Sequence, residues 1–104
     1  MSGNNIDSDI IEIANQINNL HEEAYYAYLG PVEKLCNNPD ASQNEVEHML
    51  DYLLDFCGYE KVLNLYKKVC RAFYKKYPQC ITDYIMFYRE EYDPESLKEQ
   101  DAAN

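Results

Sequence analysis

The segment SQNEVEHMLDYLLDFCG, from Ser42 to Gly58, reads as one helix with both ends marked. Ser42 and Glu45 have the spacing of a capping box. The serine hydroxyl accepts from the backbone three residues on, and the glutamate carboxylate accepts from the serine's own N–H. Val46, Met49, Leu50, Leu53, Leu54 and Cys57 then recur every three or four positions, which puts them on one helical face. Gly58 follows where helices commonly end in a left-handed residue.

Reading forward, a second amphipathic run spans about Tyr59 to Tyr77, with Val62, Leu65, Tyr66, Val69, Cys70, Phe73 and Tyr77 as its apolar positions. Pro78 ends it, because the residue before a proline avoids helical geometry. A further helix over about 79–92 carries Ile81, Ile85, Tyr88 and Tyr92 on one stripe and Cys80, Tyr84 and Phe87 on another. Asp93-Pro94-Glu95 has the composition of one more short turn.

Reading backward, "CNNPDAS" (36–42) is a loop of turn-forming residues. Before it lies a helix capped by Asp7 or Ser8 and running to about Leu29. Its stripe is Ile10, Ile13, Ile17, Leu20, Ala24 and Ala27 or Tyr28, expected to face the core. Gly30-Pro31 is expected to interrupt it, with one further turn through Leu35.

This pattern predicts an all-α chain: a small four-helix bundle or compact helical array, with a short extra turn and a mobile acidic tail. The whole of 1–104 reads as a single domain, ordered over about 7–92 and flexible over 95–104. Only three glycines and four prolines occur, too few turn residues for an all-β chain. No stretch is long and apolar enough to cross a membrane, and no signal peptide is apparent, so the expected location is cytoplasmic. The four cysteines (Cys36, Cys57, Cys70 and Cys80) form no CxxC pair and are expected to be free thiols packed as small hydrophobes.

Charge is distributed unevenly. The chain carries a net −10, yet residues 61–78 hold six basic side chains and no acidic one. The basic face is Lys61, Lys67, Lys68, Arg71, Lys75 and Lys76. Beside a protein contact made through this face, two explanations compete. In one, these cations pair with Glu45, Glu47, Asp51 and Asp55 of the preceding helix, since a short connection makes the two helices antiparallel neighbours. In the other, Lys61, Lys68, Arg71 and Lys75, interleaved with Tyr74 and Tyr77, contact phosphates. The acidic remainder of the chain repels a polyanion and disfavours direct nucleic-acid binding.

Catalytic and metal constellations are not apparent. "HEEAY" at His21 begins like a zinc-binding HExxH, but Tyr25 stands where the second histidine belongs. One helical Glu-x-x-His, Glu45 to His48, falls short of the paired set a di-iron bundle needs. His48, Cys57, Cys70 and Cys80 are of zinc-ligand type but lack close-spaced pairs. No phosphate-binding glycine loop or nucleophile elbow occurs. The expectation is therefore no enzyme, no metal and no cofactor.

What remains is surface. The chain has eleven tyrosines and no tryptophan. Tyr25, Tyr26, Tyr28, Tyr84, Phe87 and Tyr88 are candidates for an aromatic interface, because such rings are favoured where proteins meet. Asp7, Asp9, Glu12, Glu22, Glu23, Glu47, Asp51 and Asp55 are candidates for an acidic binding surface. The expected function is a non-enzymatic, acidic protein-binding module. Its sharper form is a phage or mobile-element inhibitor of a nucleic-acid-handling enzyme of defence or CRISPR type, with carboxylates imitating phosphates. Lysine- and asparagine-rich usage, pointing to an AT-rich genome, motivates that form. The alternatives are a small nucleic-acid-binding regulator using the basic helix 61–77, and a homodimeric adaptor with Tyr84, Phe87 and Tyr88 at its seam.

Overall fold

Four helices account for nearly all of the chain: α1 (Ser2–Cys36), α2 (Gln43–Leu54), α3 (Glu60–Phe73) and α4 (Pro78–Tyr92). The computed structural model describes residues 2–96, with side chains described from residue 8 onward. The architecture is the expected all-α helical array, and no strand occurs among the described residues. A single helical turn at 94–96 follows α4, held by Ser96, whose hydroxyl and N–H both donate to the Asp93 carbonyl. The expected mobile tail lies, beyond residue 96, outside the described residues.

Local chemistry sets the element ends. At Ser42 both halves of the capping box form: Glu45 N–H donates to Ser42 Oγ (3.1 Å) and Ser42 N–H donates to Glu45 Oε2 (2.9 Å). Pro78 opens α4, where its missing N–H is one that a first helical turn leaves unused anyway. Gly58 departs from expectation, because no described residue has positive φ. The exit from α2 is instead a tightened turn, in which the N–H groups of Phe56, Cys57 and Tyr59 donate to the carbonyls three residues back. Those bonds satisfy the end of the helix without a left-handed residue.

The core is organised around α3, which packs against α1 and α2 and, less extensively, α4; α4 also meets α2. Val32, Val46, Leu50, Leu53, Val62, Val69 and Ile81 are fully buried. Tyrosine hydroxyls tie the layers together. Tyr66 donates to the Tyr84 carbonyl (2.6 Å), Tyr92 to the Leu54 carbonyl (2.7 Å) and Tyr77 to the Ala41 carbonyl (2.7 Å). Each ring fills apolar space while its oxygen joins two segments, which explains much of the tyrosine excess. No buried side-chain nitrogen or oxygen among the described residues lacks a partner.

Helix α1 starts at Ser2, so Asp7 and Ser8 lie inside it rather than cap it, and it overturns two further expectations. First, Gly30-Pro31 does not break it; Pro31 sits inside one continuous helix. Proline's φ suits a helix, and the lost bond falls on an exposed face. Packing on both sides of it, by Ala24, Tyr28 and Leu29 before and Val32 and Leu35 after, carries the helix through. Second, the stripe expected in the core is only half covered. Ala24 is buried and Tyr28 is half-buried, but Ile10, Ile13, Ile17 and Leu20 are 59%, 56%, 48% and 59% exposed. The reason is length. α1 has 35 residues and α2, α3 and α4 have 12, 14 and 15, so at about 1.5 Å per residue the other helices cannot span it. The Cα radius of gyration, 17.4 Å, exceeds the roughly 13 Å of a compact chain of this size.

A Cβ added at Gly30 meets nothing within 4 Å. Gly30→Ala should therefore raise stability by about 0.5–1 kcal/mol through helix propensity. Leu50→Ala, at a fully buried site, should lower it by about 2–5 kcal/mol. Urea denaturation measures both, and a destabilised Gly30→Ala variant would contradict a continuous α1.

Candidate protein-binding groove

The cations of α3 divide by the helix that faces them. Lys61 and Lys68, seven residues apart, look toward α1. Lys61 Nζ lies 3.2 Å from Glu22 Oε1 and over the Tyr25 ring, 5.6 Å from its centroid. Lys68 Nζ lies 3.7 Å from Glu33 Oε1. The expected pairing of this helix with the carboxylates of α2 is thus corrected. Every described ion pair of α3 goes to α1, because α1 rather than α2 borders its basic flank. Lys76 leaves that flank as well, donating to the carbonyls of Pro39 (2.7 Å) and Ala41 (3.2 Å) and so closing the 37–41 loop.

Lys67, Arg71 and Lys75 follow a different row, spaced four residues apart, and make no hydrogen bond or ion pair among the described residues. They border a groove between α3 and α4. Its deeper part is about 520 Å³, lined by Leu63, Tyr66, Lys67, Cys70, Arg71, Ile85, Tyr88, Arg89 and Asp93. A shallower extension shares Cys70, Arg71 and Ile85 and adds Tyr74, Lys75 and Ile81. The floor is aliphatic and aromatic. One rim is Lys67, Arg71 and Lys75; the other carries Arg89 and Asp93. Burial holds the Cys70 thiol up at about 11, so the one nucleophilic atom at the floor stays protonated near neutrality.

The carboxylates proposed as an acidic surface are only partly available. Glu22 accepts from the Tyr59 hydroxyl and from Lys61, and these bonds hold its carboxyl below the usual range. Asp51 accepts from the Tyr84 hydroxyl (2.6 Å) and Glu47 from Gln43 (3.2 Å). Asp9, Glu12, Glu23 and Asp55 are exposed, without a bond or ion pair among the described residues. The Asp7 side chain lies outside the described ones.

The aromatic candidates scatter. Tyr84 is buried, so it offers no seam; Phe87, edge-on to it at 5.3 Å, is 45% exposed. Tyr88 is half-buried and stacks on Tyr92 (5.4 Å) at the end of the groove. Tyr28 stacks on Tyr52 across α1 and α2, Tyr25 is half-buried beneath Lys61, and Tyr26 is 65% exposed. Sequence periodicity did not reveal the α3–α4 groove. The four-residue spacing of Lys67, Arg71 and Lys75 is the sequence signal for its rim, and Lys61 and Lys68 on the neighbouring row obscure it.

Of the titratable and metal-binding groups, His21 is half-buried against Phe56 and Tyr59, and His48 is exposed on α2. No group of three His, Cys, Asp or Glu side chains gathers as ligands among the described residues. All four cysteines are free thiols. No helix among the described residues is long and apolar enough to cross a membrane. Compared with known protein families, curated proteins and solved structures, the chain gives no match.

Burial raises the Cys57 thiol from 9 to about 12 and Cys70 to about 11, and pushes the Tyr66 and Tyr84 hydroxyls well up. Below about pH 8 both folded and unfolded chains hold nearly all of these protons. Above it the unfolded chain releases them first, so stability falls as pH rises through the unfolded values toward the folded ones. Thermal midpoints should decline from pH 9 to 11, and a flat profile would contradict the burial. At pH 8 a thiol reagent should label Cys36 at most in the native protein, and all four thiols in guanidinium.

Proposed function

We propose that this protein is a non-enzymatic binding module whose working face is the α3–α4 groove, and that it takes an acidic amphipathic helical segment of a partner protein. The observation that carries this reading is the combination of an apolar floor with a row of three unpaired cations along one rim. An apolar floor rewards buried side chains, which a peptide helix supplies every three or four residues. A phosphate backbone supplies none, and the net charge of −10 opposes it at longer range. The rim cations are exposed, each worth about 0–1 kcal/mol, so they select sign and orientation while the floor supplies affinity.

A second reading keeps the acidic face as the active one, directed at a basic groove on a nucleic-acid-handling enzyme. It draws on Asp9, Glu12 and Glu23, which share α1 with no basic side chain before Lys34. Glu22, Glu47 and Asp51 are engaged within the fold, which leaves that surface fewer free carboxylates.

Selection of a random helical peptide library on the immobilised full chain separates these readings. Groove binding predicts enrichment of sequences with apolar residues at helical spacing flanked by Asp and Glu. Lys67→Glu with Arg71→Glu should weaken the selected peptides about tenfold or more, the effect of roughly 1.4 kcal/mol. Enrichment of basic peptides that the double variant still binds would contradict the groove and favour the carboxylates of α1.

A further inference from the structure

The bare stripe of α1 has an internal symmetry. Ile10, Ile13, Ile17 and Leu20 are spaced three, four and three residues apart, so the set reads the same in both directions about residue 15. A helix laid antiparallel on such a stripe meets its own spacing. Ile10 faces Leu20 of the second copy, and Ile13 faces its Ile17, in four layers that repeat about a two-fold axis. The stripe is open along this length and passes into the protein's own core only at Ala24, 8% exposed.

We infer that residues 8–20 of α1 form an antiparallel two-helix seam with the same segment of a second copy, making the protein a reversible homodimer.

Three observations commit the stripe to a second copy in this orientation. The first is charge. Asp7, Asp9 and Glu12 cluster at the start of α1 with no cation before Lys34. A parallel pair stacks the two clusters. The antiparallel register sets Asp9 of one copy about 18 Å along the axis from Asp9 of the other, beyond the Debye length of roughly 8–10 Å. The same register sets Asp7 level with Glu23 of the second copy but Asp9 level with His21 and Glu12 level with Asn18, so fewer like charges meet than in a parallel pair. The second is side-chain shape. Isoleucine occupies both kinds of seam position, at Ile10 and Ile13, which shifts parallel coils from two strands toward three or four, so a mass above that of a dimer would contradict the antiparallel seam. The third is area. Four side chains about half exposed offer about 100 Å² of apolar surface apiece, or about 800 Å² across the pair. With the stems of flanking Asp9, Ala14 and Gln16, the seam reaches the lower bound of about 1,000–1,200 Å² for a specific interface.

Helix propensity points the same way. Residues 2–20 contain five Asn, five Ile, two Ser and a Gly, all weak helix formers, and only one Ala. A segment of this composition and length is marginal as a free helix in water. Cover along its apolar stripe is what makes it persist.

The inference is independent of the α3–α4 groove, which lies on other elements. Sedimentation equilibrium of the full chain in 0.15 M salt tests it, over about 5–500 µM, the range suited to an interface this small. The mass should rise from 12.3 kDa toward twice that value, with helicity rising alongside. Ile13→Asp with Ile17→Asp should remain at 12.3 kDa throughout. Both sites are exposed in the monomer, so its thermal transition at the lowest concentration should match the parent's. A parent chain that stays monomeric, or a double variant that dimerises equally well, overturns the proposal. Orientation is read from spin labels at Ser8→Cys in a Cys36→Ser background. The antiparallel register sets the two labelled backbones about 21 Å apart along the axis, 14 residues of rise. A separation near 10 Å, the spacing of side-by-side helices, overturns it as well.

Discussion

Helix α3 buries Val62, Leu65, Tyr66, Val69, Cys70 and Phe73 along one arc, and the other three helices assemble by covering that arc. Each such side chain, fully buried, contributes about 1.5–3 kcal/mol before entropy is counted. α1 reaches the body chiefly through α3, so weakening this arc would release both α1 and α4. The tyrosine bonds depend on the same geometry. Tyr66 can reach the Tyr84 carbonyl only while α3 and α4 stay in register.

The same constraint accounts for the basic island. A helix covered on three sides has a narrow outward surface, and α3 fills it with Lys and Arg. Where α1 runs alongside, the cations meet Glu22 and Glu33; on the side of α4, they border an apolar groove instead. One helix thereby supplies both an internal electrostatic match and an outward-facing basic rim. Exposed pairs of this kind add little stability, so their contribution is to choose which helix lies where.

Features written locally were legible in the sequence. Ser42 and Glu45 form their capping box because both partners lie within one turn, and Pro78 opens α4 because its ring fixes the backbone there. The all-α class and the packed thiols followed from periodicity and cysteine spacing. Features decided by distant residues were not legible. Gly30-Pro31 looks like a break, yet Val32, with no exposed surface, anchors the helix beyond it. The α1 stripe has core periodicity over its whole length, and periodicity cannot tell whether another helix is long enough to cover it. The pairing of Lys61 and Lys68 likewise turned on whether α1 or α2 borders α3, a question of topology rather than of spacing. The groove was hidden for a related reason, since its rim and floor come from two helices and only the rim has a sequence signature.

Native-state hydrogen exchange tests the central role of α3 most directly. If the fold hangs on this helix, the amides of residues 65–73 should exchange only through global unfolding, with protection equal to the stability measured by denaturant. The amides of α4 should exchange at that limit or faster. Slower exchange in α4 or α1 than in α3, or an α3 that opens while α1 stays protected, would contradict the account.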